Sequence, residues 1–230
     1  MPDISISCPD GEFSAYLASP ASGAGGGVLV IQEIFGVNKD MRDHCDHLAA
    51  QGYFALCPDI FWRQEPGVQI TDQTDEEWAK AFELYQGFDV DKGVDDLTVA
   101  LAHLRGVDGC NGKAGTVGFC LGGLLVYLMA AGSDADCNVS YYGVGMEEKL
   151  DLAKTITTPT ILHIAEEDGF VSKEAQAAIN EGLKGHASVT VYNYPGVDHA
   201  FARNNGVNYN KEAADLADGR TLACFKQALA

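Results

Sequence analysis

Apolar runs bounded by turn residues alternate with amphipathic stretches along this chain, the pattern of a mostly parallel sheet covered by helices. The first part, Asp3 to Ala18, alternates apolar and polar positions around Pro9-Asp10-Gly11, which predicts an antiparallel hairpin. The glycine run Gly23 to Gly27 predicts a flexible loop. It precedes a strand instead of following one, so it is not a phosphate cradle. Gly27 to Gln32 predicts a fully buried strand, and Asn38 caps a helix that runs to Gln51 and is ended by Gly52. Tyr53 to Cys57 predicts the next strand, stopped by Pro58. Two helical stretches lie between Thr74 and Arg105, broken near Gly87-Phe88-Asp89. Trp78, Phe82 and Tyr85 fall on one face of the first, a stripe that serves a core more often than a substrate wall. Strands follow at Gly115 to Phe119, Asn138 to Tyr142, Thr160 to Ala165 and Val189 to Tyr194. Helices are predicted over Leu121 to Ala131, from the Ser172 cap to about Leu183, and from about Lys211. Neither an internal repeat nor a long linker interrupts this order, so one domain spanning residues 1–230 is expected.

Charge narrows the function classes. The 15 basic residues face 33 acidic ones, a formal net charge of -18 spread along the chain. Such a field repels nucleic acid and anionic membrane and favours solubility and small-molecule chemistry. No window approaches the roughly 20 apolar residues of a spanning helix. The start MPDISISCPD has no basic stretch followed by an apolar one, so a cytoplasmic protein is expected. The seven cysteines are widely spaced without a CxxC pair, which argues against a disulfide framework or structural zinc. Asp43, His44, Cys45, Asp46 and His47 spread around a helix instead of sharing one face, so no metal site is expected there.

The chemistry concentrates in Gly118-Phe119-Cys120-Leu121-Gly122-Gly123, which follows a strand and opens an apolar helix. In such an elbow the central residue sits on strained backbone, and its side chain points out at the C-terminal edge of the sheet. The helix N-terminus favours a thiolate and can stabilise an oxyanion, so Cys120 is the candidate nucleophile. In an α/β-hydrolase the chain order is nucleophile, acid, base. His199 lies in a loop after the last strand, where the base belongs, whereas His163 is in a buried strand and His44, His47 and His103 are on amphipathic helices. The orienting acid should follow Thr160 to Ala165. Of Glu166, Glu167 and Asp168, the last is favoured because Gly169 lets the loop turn back towards the elbow. The backbone N–H groups of Ile34 and Leu121 are the expected oxyanion donors. Glu33 would then lie near the thiol, with Arg203 four residues after His199.

Together, Gln32-Glu33-Ile34-Phe35-Gly36, Cys57-Pro58-Asp59, the Cys120 elbow, Tyr141-Tyr142-Gly143 and His199-Ala200-Phe201-Ala202-Arg203 resemble the dienelactone hydrolase family over nearly the whole chain. The resemblance implies a Cys120-His199-Asp168 triad. It also implies a Glu33 that contacts the resting thiol and helps to activate it, and an Arg203 that binds a substrate carboxylate or pairs with Glu33. Phe35, Tyr142 and Trp78 are expected as further substrate contacts. One departure bears on specificity: the family's second carboxylate-binding arginine falls at or next to Trp78, and residues 71–86 contain no arginine. Arg63, nearby in sequence, occupies a family position of its own and is not a replacement. A cysteine nucleophile suits activated esters and lactones, because a thiolate leaves more readily than a simple alkoxide. The expected function is therefore hydrolysis of such esters or lactones through an acyl-thioester, without cofactor or metal, by a monomer or homodimer. Hydrolysis of neutral aryl esters, extending to aryl phosphotriesters, is the alternative enzyme. A thiol redox sensor or silent binding module is the alternative outside catalysis.

Overall fold

A computed structural model describes residues 3–230, built on one eight-stranded sheet with the order β1-β2-β4-β3-β5-β6-β7-β8. The hairpin forms as expected, with β1 (Asp3–Cys8) antiparallel to β2 (Gly11–Ala18). β2 pairs antiparallel with β4 (Phe54–Pro58), and the remaining pairings are parallel, through β3 (Gly25–Ile31), β5 (Cys110–Phe119), β6 (Asn138–Tyr141), β7 (Thr160–Ala165) and β8 (Val189–Tyr194).

Strand period decides which side each residue serves. Val28 and Val30 pack with α1 (Lys39–Ala50) and α6 (Lys211–Ala228) on one face. Leu29 and Ile31, one residue out of phase, pack with α3 (Val90–Arg105) and α4 (Leu121–Gly132) on the other. A third cluster joins α4 to α5 (Lys173–Gly182) through Leu124, Tyr127 and Ile179. The helix starts are set by side-chain caps: Asn38 for α1, Thr74 for α2 (Asp75–Gln86), Asp89 for α3 and Ser172 for α5. Among the described residues, no helix is long and apolar enough to cross a membrane.

Three differences from expectation have identifiable causes. Gly25 to Gly27 belong to β3 and are not a flexible loop. Their lack of side chains serves close packing: a Cβ on Gly25 would meet the Gly52 carbonyl oxygen at 2.1 Å. β5 begins at Cys110 instead of Gly115, because its polar start continues the sheet and Cys110 pairs with Gly25. A charged 3-10 segment, Met146–Thr155, carries no clear helical period yet packs on α4 and α5 through Met146, Leu150 and Ala153.

Candidate active site

At the end of β5 the chain turns directly into α4, with Cys120 in the turn at φ 55 and ψ -115. A side chain in that region is strained and must be held by its surroundings. The Cys120 N–H donates to the Tyr141 carbonyl at 3.1 Å, and its own carbonyl receives the N–H groups of Gly123 and Leu124. Gly122 makes the elbow possible, since a Cβ there would lie 2.3 Å from the Ile31 oxygen and 2.6 Å from that of Gln32. The end of β3 and the start of α4 are thus pressed together. Leu121 opens α4, so its N–H has no carbonyl one turn back to receive it. Ile34 lies in the turn after β3 and faces the same cavity as Cys120.

His199 arrives from the loop after β8 and Asp168 from the loop after β7. His199 Nδ1 stands 3.0 and 2.9 Å from the two Asp168 oxygens. Asp168 Oδ1 also accepts from the N–H groups of Phe170 and Val171 at 2.8 and 3.1 Å, which orients the carboxylate. Asp198 ties the two loops together, its Oδ1 accepting from Gly169 N at 2.9 Å and His199 N at 2.6 Å. Among the described residues, His199 Nε2 is buried without a hydrogen-bond partner of its own, and Cys120 is the acidic group on that side. Burial disfavours the imidazolium, but Cys120 and Asp168 outweigh it and lift the His199 pKa from 6.5 to about 10.

Glu33 pairs with Arg203, one of the two arrangements expected for that arginine, and is not hydrogen-bonded to the thiol, contrary to expectation. Both of its oxygens are taken by Arg203, at 2.6 Å from Nε and 3.0 Å from Nη2, so the guanidinium and not the thiol holds the carboxylate. Arg203 Nη1 donates to Asp72 Oδ2 at 2.6 Å, and the guanidinium lies 4.8 Å over the Phe35 ring. Arg63 is engaged elsewhere, by Asp96 and Asp10.

Cys120 and His199 open onto a cavity of about 120 Å³, walled by Ile34, Phe35, Trp78, Phe82, Tyr85, Val144, Phe170 and Arg203. The stripe on α2 therefore lines this cavity: Phe82 and Tyr85 are more than a third exposed, while Trp78 also packs against the core. Trp78 meets Phe35 edge-on at 5.1 Å and stacks on Phe82 at 5.5 Å and Phe170 at 6.2 Å. Tyr142, expected to touch substrate, does not line the cavity. Its ring is 2% exposed and packs inwards, edge-on against His199 at 5.0 Å and Phe201 at 5.5 Å. A larger cleft of about 810 Å³, lined by α1 and α6 residues, contains none of Cys120, His199 and Asp168.

Three contributors escaped sequence reading. Phe170, 54% exposed and edge-on to His199 at 4.8 Å, carries one signal, a large apolar residue in a polar loop beside the candidate acid. Asp198 directly precedes the base, which is a weak signal. Asp72 carries none, because its partner lies 131 residues away.

A protein of Azospirillum brasilense with the provisional name carboxymethylenebutenolidase is 54% identical, over 100% of both chains. The carboxymethylenebutenolidase of Pseudomonas putida is 40% identical over 95% of this chain and 93% of its own. A provisionally named dienelactone hydrolase from Klebsiella pneumoniae subsp. pneumoniae superimposes with a TM-score of 0.88 at 27% identity, covering 98% of each chain. Residues 13–229 match the Dienelactone hydrolase family, and with that match and these relatives the chain belongs to that family of α/β-hydrolases that cleave esters and lactones.

Proposed function

We propose that the chain hydrolyses neutral, activated esters and lactones through an acyl-thioester on Cys120. What supports this most is the strained Cys120 on the wall of an aromatic cavity, beside the unpartnered Nε2 of a histidine whose Nδ1 is held by Asp168. The Cys120 thiolate attacks the carbonyl carbon, and the N–H groups of Ile34 and Leu121 receive the oxyanion. Collapse breaks the bond to the leaving oxygen, which takes a proton from the His199 imidazolium. Water then attacks the thioester while His199 takes its proton, and the acid product leaves with Cys120 restored. The preference for neutral substrates follows from the cation on the wall, since Arg203 is already committed to Glu33 and Asp72. The same neutrality favours, as a second reading, aryl phosphotriesters attacked at phosphorus.

The test is turnover of p-nitrophenyl acetate with intact-protein mass spectrometry after acid quench. Wild type should gain one acetyl group during turnover and prefer the aryl ester strongly over ethyl acetate. Cys120→Ala should gain none and lose at least about a thousandfold in kcat. Activity of Cys120→Ala within about tenfold of wild type would exclude the nucleophile. A single modification without turnover would indicate a sensor.

A further inference from the structure

One guanidinium serves two buried carboxylates beside this cavity. The side chains of Arg203, Glu33 and Asp72 are 7%, 2% and 3% exposed, and each comes from a different loop. Arg203 gives its Nε and Nη2 edge to Glu33, which is enough to satisfy that carboxylate. Asp72 then adds a second negative charge, so one cation and two anions leave the cluster with a formal excess of one negative charge. Burying an extra carboxylate is costly unless it is paired, so a structural role alone would be served as well by a neutral acceptor. The pairing here is close. Asp72 Oδ2 takes the Arg203 Nη1 at 2.6 Å and the Val207 N–H at 3.3 Å, and Gln73 donates to Oδ1. Burial pushes the Asp72 carboxyl up, but Arg203 outweighs it and holds the group below its usual range, so the charge persists at neutral pH. The segment is also fastened to the cavity wall, because Trp78 Nε1 donates to the Asp72 carbonyl at 3.1 Å.

These contacts fix Arg203 from three sides, by Glu33, Asp72 and the Phe35 ring. A substrate carboxylate needs a free guanidinium edge to be bound in bidentate fashion. We infer that Asp72 is a positioning residue for specificity: it holds Arg203 away from the substrate and leaves the cluster negative, so that the cavity admits neutral ligands and rejects carboxylates. This rests on the cavity at Cys120 being the substrate site. Asp72 touches no reacting atom, and its effect passes through Arg203.

Asp72→Asn preserves the shape and the acceptor oxygen while removing the charge. Two readouts separate this idea from the proposed chemistry. In the first, kcat/KM is compared for p-nitrophenyl hexanoate and the p-nitrophenyl monoester of adipic acid, which carries a terminal carboxylate. Asp72→Asn should shift the ratio at least about tenfold towards the anionic ester, chiefly through KM, and Asp72→Glu should return it towards wild type. The second needs no turnover: tryptophan fluorescence is titrated with benzoate and benzamide in the Cys120→Ala background. Adding Asp72→Asn should tighten benzoate relative to benzamide by about the same factor. An unchanged ratio in both readouts overturns the role of Asp72 and leaves the hydrolytic reading standing. Equal losses on both esters with a lowered Tm would mean a structural role only, and would also overturn it. Inert wild type with a shifted benzoate ratio would overturn the hydrolytic reading and support Asp72.

Discussion

Gly122→Ala tests whether the elbow and the proposed oxyanion donors Ile34 and Leu121 act as one unit. The added Cβ would sit 2.3 Å from the Ile31 oxygen and 2.6 Å from the Gln32 oxygen, whereas ordinary contact begins at 3.4 Å. Both obstacles are backbone, so no side chain can swing aside. Either the end of β3 or the first turn of α4 must retreat by about 1 Å, and a displacement of that size can cost roughly a hundredfold in rate. The retreat separates Ile34 from Leu121, and losing one oxyanion donor costs about a hundredfold to a thousandfold in kcat. The expected result is a kcat for p-nitrophenyl acetate lowered about a hundredfold with KM little changed, and a loss of about 1–3 kcal/mol in stability from overpacking. Gly132→Ala, at the other end of the same helix, is the control. Nothing lies within 4 Å of its added Cβ, and it should leave kcat unchanged while raising Tm through helix propensity. If Gly122→Ala stays folded with kcat within about threefold of wild type, the two donors do not depend on this contact.

Two further tests concern the base and the wall. The pairing that raises the His199 pKa stabilises the fold fully below about pH 6.5, and that stabilisation is lost as pH rises to about 10. Asp168→Asn keeps Oδ1 for the Phe170 and Val171 N–H groups, so its Tm deficit against wild type should be largest below about pH 6.5 and shrink towards pH 10. A deficit that grows with pH in parallel melting curves would contradict the charge pairing. Trp78→Arg puts a cation on the wall opposite Phe35 and should move kcat/KM about tenfold from neutral aryl esters towards carboxylate-bearing lactones. An unmoved ratio would mean that this wall does not meet the charged end of the substrate.

What was legible in the sequence follows the distance over which each feature is encoded. Helix caps and the Cys120 elbow are written within a few residues, and Asn38, Ser172 and Cys120 stand where their local patterns put them. The chain order of nucleophile, acid and base brought Asp168 and His199 together across 31 residues, because strand order in a parallel sheet brings those loops to one edge. Packing side was harder to read. The period of Trp78, Phe82 and Tyr85 marks an apolar face equally well for core or cavity, and only the empty space in front of it decides. Tyr142 carries the opposite lesson, since a residue inside a shared motif can pack into the core instead of facing the cavity.

The charge balance of the site is the least legible feature and the one with most bearing on substrate choice. Arg203 meets Glu33 across 170 residues and Asp72 across 131, and neither pairing leaves a periodic or compositional trace. The resemblance leaves Arg203 either to bind a substrate carboxylate or to pair with Glu33, and it does not foresee Asp72. In the folded chain it is the minority charge in a buried cluster of three, and the cavity beside it is walled by aromatic rings. An arginine recognises an anion only to the extent that its N–H edges and its charge remain unspent. On the role inferred for Asp72, substrate sign in this chain is set less by the presence of Arg203 than by the two carboxylates that share it.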